Sequence, residues 1–178
     1  MVDYQKIFDE YCRDMELALK LSFEMPEGFD GADGMFDPDS GTVYINADFP
    51  EGTPDSVRAF FLLHELRHAA QYLCPEQFSE MIRKSLGYVI QYDGTCYKLV
   101  NGEYLECSLE GGEERFAVLY AGQPHETDAN TYAYEAARKL YGDSEELRRL
   151  YESRMPKHPV TDETYAEVYA AIDEKTAK

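Results

Sequence analysis

What this sequence lacks narrows its chemistry before any motif is read. It has no run of about 18 apolar residues, the length a helix needs to cross a bilayer core, so no transmembrane segment and no membrane partner are expected. The opening residues Met1-Val2-Asp3-Tyr4-Gln5-Lys6 carry no apolar stretch of the signal-peptide kind, and a cytoplasmic location is the expectation. None of the four cysteines, Cys12, Cys74, Cys96 and Cys107, forms a Cys-x-x-Cys, which argues against a thiolate zinc site. In a reducing compartment they are expected to remain thiols and to serve mostly as small buried hydrophobes. Positive charge is scarce, with 17 Lys and Arg against 35 Asp and Glu and a net charge of −18. Nucleic acid is therefore not an expected partner, because its phosphates would be repelled. A peptide or protein partner is compatible with that charge, a basic one included. There is no internal repeat and no low-complexity tail.

What is present is globular. Hydrophobic residues make up 44 % of 178, enough for a sizeable core and, by length, for a single domain over residues 1–178. The chain is organised around Phe60-Phe61-Leu62-Leu63-His64-Glu65-Leu66-Arg67-His68-Ala69-Ala70. On a helix, positions four apart lie on one face, so His64 and His68 can point at one ion. Glu65 sits about 100° further round and reaches the side of that ion. Two neutral imidazoles as ligands and a carboxylate to take a proton from the attacking water are what a zinc hydrolase needs. The same spacing also suits a solvated helix face. Here the flanking Phe60, Phe61, Leu62, Leu63 and Leu66 leave almost no polar side, so the helix is expected to be buried all round. Buried polar groups then need partners, and a metal supplies them.

Along the chain, helical spacing predicts a first helix over 3–22. Asp37 to Gly41 reads as a turn leading into a strand at 42–46. If that strand lies at a sheet edge, Thr42, Val43, Tyr44 and Ile45 would bind an extended substrate; otherwise it is an ordinary structural strand. Thr53 as N-cap and Pro54 at the first turn start the motif helix, which runs to about 73 before Pro75; a short helix follows within 76–85. Asp93-Gly94 and Asn101-Gly102 predict a three-stranded meander within 87–108. A two-residue loop at 101–102 pairs Val100 with Glu103, Leu99 with Tyr104, Tyr97 with Glu106 and Cys96 with Cys107. The face carrying Tyr88, Ile90, Tyr92, Tyr97, Leu99 and Tyr104 is expected to pack inward, with Cys96 and Cys107 on the other. Pro124 opens a long helix closed by Gly142. Two more helices, 144–153 and 162–174, finish the chain, the first started by Asp143 with Glu146 and the second by Thr161.

A catalytic zinc wants three protein ligands and one open position. The other histidines are His125 and His158. Glu126 is the stronger candidate, because it lies in the first turn of a helix whose Glu126, Asn130, Ala133 and Ala137 share a face. Asn130 there can hydrogen-bond a ligand histidine and fix its tautomer. Acids in a first turn, Glu126 and Asp128 among them, can also do no more than complement the helix N-terminus.

The strand ending in Ile45-Asn46, the His64-Glu65-Leu66-Arg67-His68 motif and Glu126-Thr127-Asp128-Ala129-Asn130-Thr131-Tyr132-Ala133 together resemble the ImmA/IrrE type of zinc metallopeptidase, among the gluzincins. The resemblance covers roughly residues 34–140, and the meander lengthens the gap between the two motifs. It implies an α+β, zincin-like fold: an active-site helix, a small mixed sheet, the meander as an insertion and C-terminal helices over 143–178. It also implies Zn2+ held by His64, His68 and Glu126, Glu65 as catalytic base, Asn130 as the residue orienting a ligand, and a peptide or protein substrate, either one regulatory protein or proteins in general. The rival expectation is a zincin-shaped interaction module that cleaves nothing.

Overall fold

The computed structural model describes residues 1–177. In chain order the elements are α1 (Tyr4–Asp14), β1 (Lys20–Ser22), β2 (Gly34–Asp37), β3 (Thr42–Ile45), α2 (Asp55–Leu73), a 3₁₀ turn (Pro75–Gln77), α3 (Glu80–Ser85), β4 (Tyr88–Ile90), β5 (Thr95–Val100), β6 (Glu103–Ser108), α4 (Glu113–Ala121), α5 (Pro124–Tyr141), α6 (Glu145–Arg154) and α7 (Asp162–Thr176). The class is mixed α+β. No helix among the described residues is long and apolar enough to cross a membrane. The chain divides into two compact units, each built from two separate stretches. The first holds Met1–Gln77 and Asp128–Glu152, the second Phe78–Thr127 and the chain from Ser153 onward.

In the first unit α2 is the central element. Phe60, Leu62 and Leu66 have no exposed surface, and Phe61 and Leu63 are also buried, so the expectation of a helix buried all round holds. Its start differs from the prediction. Thr53 does not cap it; its hydroxyl donates to the Pro50 carbonyl, while the Pro54 carbonyl accepts from the Val57 and Arg58 amides. The first helix is shorter than its periodicity suggests. It stops at Asp14, where Glu16 adopts φ 54° and the Leu17 amide turns back to the Cys12 carbonyl. Residues 20–22 then leave helical geometry to pair with a strand, a tertiary gain that the local helical pattern does not register.

That sheet has the order β1-β3-β2. β3 is parallel to β1, with Lys20 opposite Thr42 and Ser22 opposite Tyr44. It is antiparallel to β2, with Gly34 opposite Ile45 and Asp37 opposite Thr42. The strand expected to bind substrate is thus the middle one. Its backbone groups are engaged on both sides, and Val43 and Ile45 are fully buried. Thr42, Val43, Tyr44 and Ile45 therefore have no free edge to offer an extended peptide, contrary to that expectation. The edge nearer the motif is β2, whose Phe36 ring lies 6.0 Å from that of Tyr72 on α2.

α5 buries a narrow face of Ala129, Asn130, Ala133 and Ala137. Gly142, at φ 85°, closes it by donating to the Arg138 carbonyl. At the next helix Ser144 rather than Asp143 caps, its hydroxyl accepting from the Leu147 amide.

The second unit is built on the meander β4-β5-β6 packed against α7. The β5–β6 register is as the Asn101-Gly102 turn predicts: Val100 opposite Glu103, Leu99 opposite Tyr104, Cys96 opposite Cys107. Asn101 (φ 53°) and Gly102 (φ 83°) both have the positive φ of a type I′ turn. The first hairpin differs. Ile90 pairs with Cys96, and Gln91 and Gly94 close a loop one residue longer, with Gly94 at φ 89°. One added residue moves every side chain of a strand to the opposite face. Tyr88 and Ile90 therefore share the buried face with Cys96, and Cys107 packs against the same core, contrary to the expected assignment. Tyr92 and Tyr104 are exposed. The core is completed by Phe116 and Leu119 of α4 and Tyr165, Val168, Tyr169 and Ile172 of α7, with Tyr88 stacked on Tyr169 at 4.2 Å. α7 starts where predicted, Thr161 accepting from the Thr164 amide.

Candidate metal centre

One turn of α2 brings the two motif histidines together. Their rings lie 4.5 Å apart, nearly perpendicular, and their Nε2 atoms are 3.0 Å from each other. His64 is buried and stacks on Phe60 one turn before it. The third donor comes from the first turn of α5. This helix is unbroken across the division of the chain, which falls after Thr127, so Glu126 is placed by a helix whose body lies in the first unit. One ligand atom each from His64, His68 and Glu126 lies within 4.8 Å of the others. Two nitrogens at about 2.0–2.1 Å from a tetrahedral zinc are roughly 3.3–3.4 Å apart, close to the histidine spacing found here. Two imidazoles and a carboxylate are also a donor set that suits zinc. The residues present fit the ion.

Glu65 is not part of this group. Its Cγ lies against β2, where Gly34 makes room for it: a Cβ on Gly34 would lie 2.8 Å from Glu65 Cγ and 3.1 Å from Ile45 Cδ1. The residue read as the base is thus half-buried beside an edge strand, one position along from the first ligand.

Around His68 the structure shows a set of groups that sequence reasoning missed. Gln71, with no exposed surface, places Oε1 2.9 Å from His68 Nδ1 and donates from Nε2 to Asp128 Oδ2 at 2.9 Å. Arg67 grips the same carboxylate with two prongs, Nε to Oδ2 at 2.8 Å and Nη2 to Oδ1 at 3.0 Å. Its guanidinium lies 4.8 Å over the Tyr132 ring, which meets Tyr11 edge to face. Burial works against the Arg67 charge, but the hydrogen bonds and charge of Asp128 more than offset it and the pKa is raised. Burial likewise pushes the Tyr11 and Tyr132 hydroxyls upward. The signal available in the sequence was spacing: Gln71 lies three residues beyond His68, on its own helix face. Asn130, expected to orient a ligand, is buried on α5 with Ala129 and Ala133. At His68 that contact is made by Gln71.

His125 flanks Glu126. The Ser85 hydroxyl donates to the Ile82 carbonyl at 2.7 Å, so its oxygen accepts from His125 Nδ1 at 3.0 Å. His125 Nε2 is then directed to Glu126 Oε1, 3.6 Å away. His158 is exposed on the loop before α7.

No protein family, curated protein or solved structure matches this chain.

Proposed function

We propose that this protein is a zinc-dependent metallopeptidase of zincin-like, gluzincin architecture, similar to the ImmA/IrrE type, acting on a peptide or protein substrate. The observation that carries the reading is the convergence of His64, His68 and Glu126, from two separate helices, on one point. Bound zinc would supply a Lewis acid and bring the pKa of its water to about 7. The chain's own residues do the rest. His64, His68 and Glu126 would hold the ion. Glu65 takes a proton from the attacking water and returns it to the departing amine, the work of a positioned general base and acid.

Substrate alignment falls to β2 rather than β3. Among the described residues β2 is paired on one side only, and Gly34 lies against Glu65. An extended peptide added along Gly34–Asp37 would run past the base, held by main-chain hydrogen bonds. The acidic surface favours a substrate with basic character.

Two variants test this. Glu65→Gln keeps the shape of the side chain and removes the base. It should bind zinc with the affinity of the parent protein and lose about 10²- to 10⁴-fold in cleavage. Glu126→Gln removes a charged ligand and should weaken zinc binding itself. The measurements are zinc content after equilibrium dialysis and cleavage of candidate protein substrates. Equal zinc loss in both variants would overturn the assignment of roles. Full function in Glu65→Gln would favour the non-catalytic interaction module.

A further inference from the structure

The geometry points to Gln71 as a positioning residue that sets the tautomer of His68, itself held in place by Asp128 and Arg67. The inference rests on the zinc reading only for its purpose; the tautomer follows from hydrogen bonds alone. An ionised carboxylate accepts and cannot donate. The Gln71 end that meets Asp128 Oδ2 at 2.9 Å must therefore be the NH2 group, which leaves the carbonyl oxygen facing His68 Nδ1 at 2.9 Å. A carbonyl oxygen can only accept, so Nδ1 carries the hydrogen. In a neutral imidazole Nε2 is then the bare nitrogen. That atom is the one 3.0 Å from His64 Nε2, inside the ligand group. The unprotonated nitrogen of His68 thus faces the centre before any ion arrives.

The amide has little freedom to flip. Gln71 is fully buried, so reversing it would set its oxygen against the Asp128 carboxylate with no hydrogen between them. Asp128 cannot turn away either, since both its oxygens are engaged by Arg67, and that guanidinium is packed on Tyr132. Arg67, His68 and Gln71 occupy one side of α2, and Asp128 follows the ligand Glu126 by two residues on α5. The two helices that bring the ligands thus also carry the residues that aim one of them. Orienting partners of this kind typically alter metal affinity by about 10- to 100-fold.

The test is ring ¹⁵N–¹H NMR on the chelator-stripped full chain, with zinc affinity measured by competition with a chromophoric chelator. His68 should show its hydrogen on Nδ1. Gln71→Leu removes the acceptor and should give a mixed His68 tautomer and a zinc Kd raised roughly 10- to 100-fold. A parent protein with the His68 hydrogen on Nε2 overturns the inference, and so does a Gln71→Leu variant, folded by circular dichroism, with unchanged tautomer and Kd. A parent protein that shows the Nδ1–H signal but binds no zinc supports the tautomer assignment and overturns the metal centre instead.

Discussion

Gly34 shows how much a single missing side chain decides. It is the point where β2 passes the residue read as the base, and a methyl group there would press on Glu65 Cγ at 2.8 Å, on Ile45 Cδ1 at 3.1 Å and on the Tyr44 carbonyl at 3.2 Å. The first neighbour can swing aside; the other two are a fully buried core atom and backbone. Gly34→Ala should therefore displace Glu65 before it disturbs the ligands. On the metallopeptidase reading proposed above, cleavage should fall at least about tenfold, with fold stability lowered by roughly 1–3 kcal/mol, the usual cost of overpacking. Zinc stoichiometry should stay at the parent value. A variant that cleaves normally would show that the strand does not set the position of Glu65.

Glycine matters differently in the two turns of the meander. Gly94 and Gly102 have nearly equal φ, 89° and 83°, but only Gly94 is crowded. A Cβ on it would meet the Leu109 carbonyl at 2.9 Å and the Phe116 ring at 3.0 Å, whereas nothing lies within 4 Å of Gly102. Gly102→Ala should cost about 1–2 kcal/mol, the left-handed backbone penalty alone. Gly94→Ala should exceed that by a further 1 kcal/mol or more, because backbone and an aromatic core residue must also give way. Urea denaturation of both variants checks the order; equal costs would mean that Phe116 and the Leu109 carbonyl yield freely. At the same scale, Thr161→Ala removes the hydroxyl that accepts the Thr164 amide at the head of α7 and should cost about 0.5–2 kcal/mol.

The second unit gathers several neutral acids in its core, and this sets a limit at high pH. Burial pushes the Cys96 thiol from 9.0 up to about 11, with the charges of Cys107 and Asp93 adding to it. Burial, with the hydrogen bond to Asp173, pushes Tyr88 up to about 12. Burial moves Tyr165 and Tyr169 upward as well. Each group is uncharged while it holds its proton, and the unfolded chain releases that proton at lower pH. The stabilisation is whole below about pH 9 and is lost as pH rises through 9 to 11 for Cys96, then 10 to 12 for Tyr88. Cys96, with no exposed surface, should account for a loss on the order of 2 kcal/mol across its window. Denaturation midpoints measured from pH 8 to 11 should fall, and Cys96→Ala should flatten the decline. Unchanged midpoints to pH 11 would contradict the burial of these groups.

Local signals in the sequence determined most of the elements. The apolar flanks and the i, i+4 histidines of α2, the Asn101-Gly102 turn with its Cys96–Cys107 register, and the Pro124 and Gly142 limits of α5 all depend on neighbours within a few residues. Tertiary structure decided which of these meet. It ended α1 at Asp14 because residues 20–22 gain a strand partner, and it enclosed β3 between β1 and β2 so that the edge nearer the motif helix is Gly34–Asp37. A single extra loop residue before Gly94 turned Cys96 and Cys107 inward. The chain Arg67–Asp128–Gln71–His68 could not be read beforehand, because hydrogen bonds between residues about 60 positions apart leave no periodicity in either helix. Periodicity reports which face of an element is buried; only packing reports what that face touches.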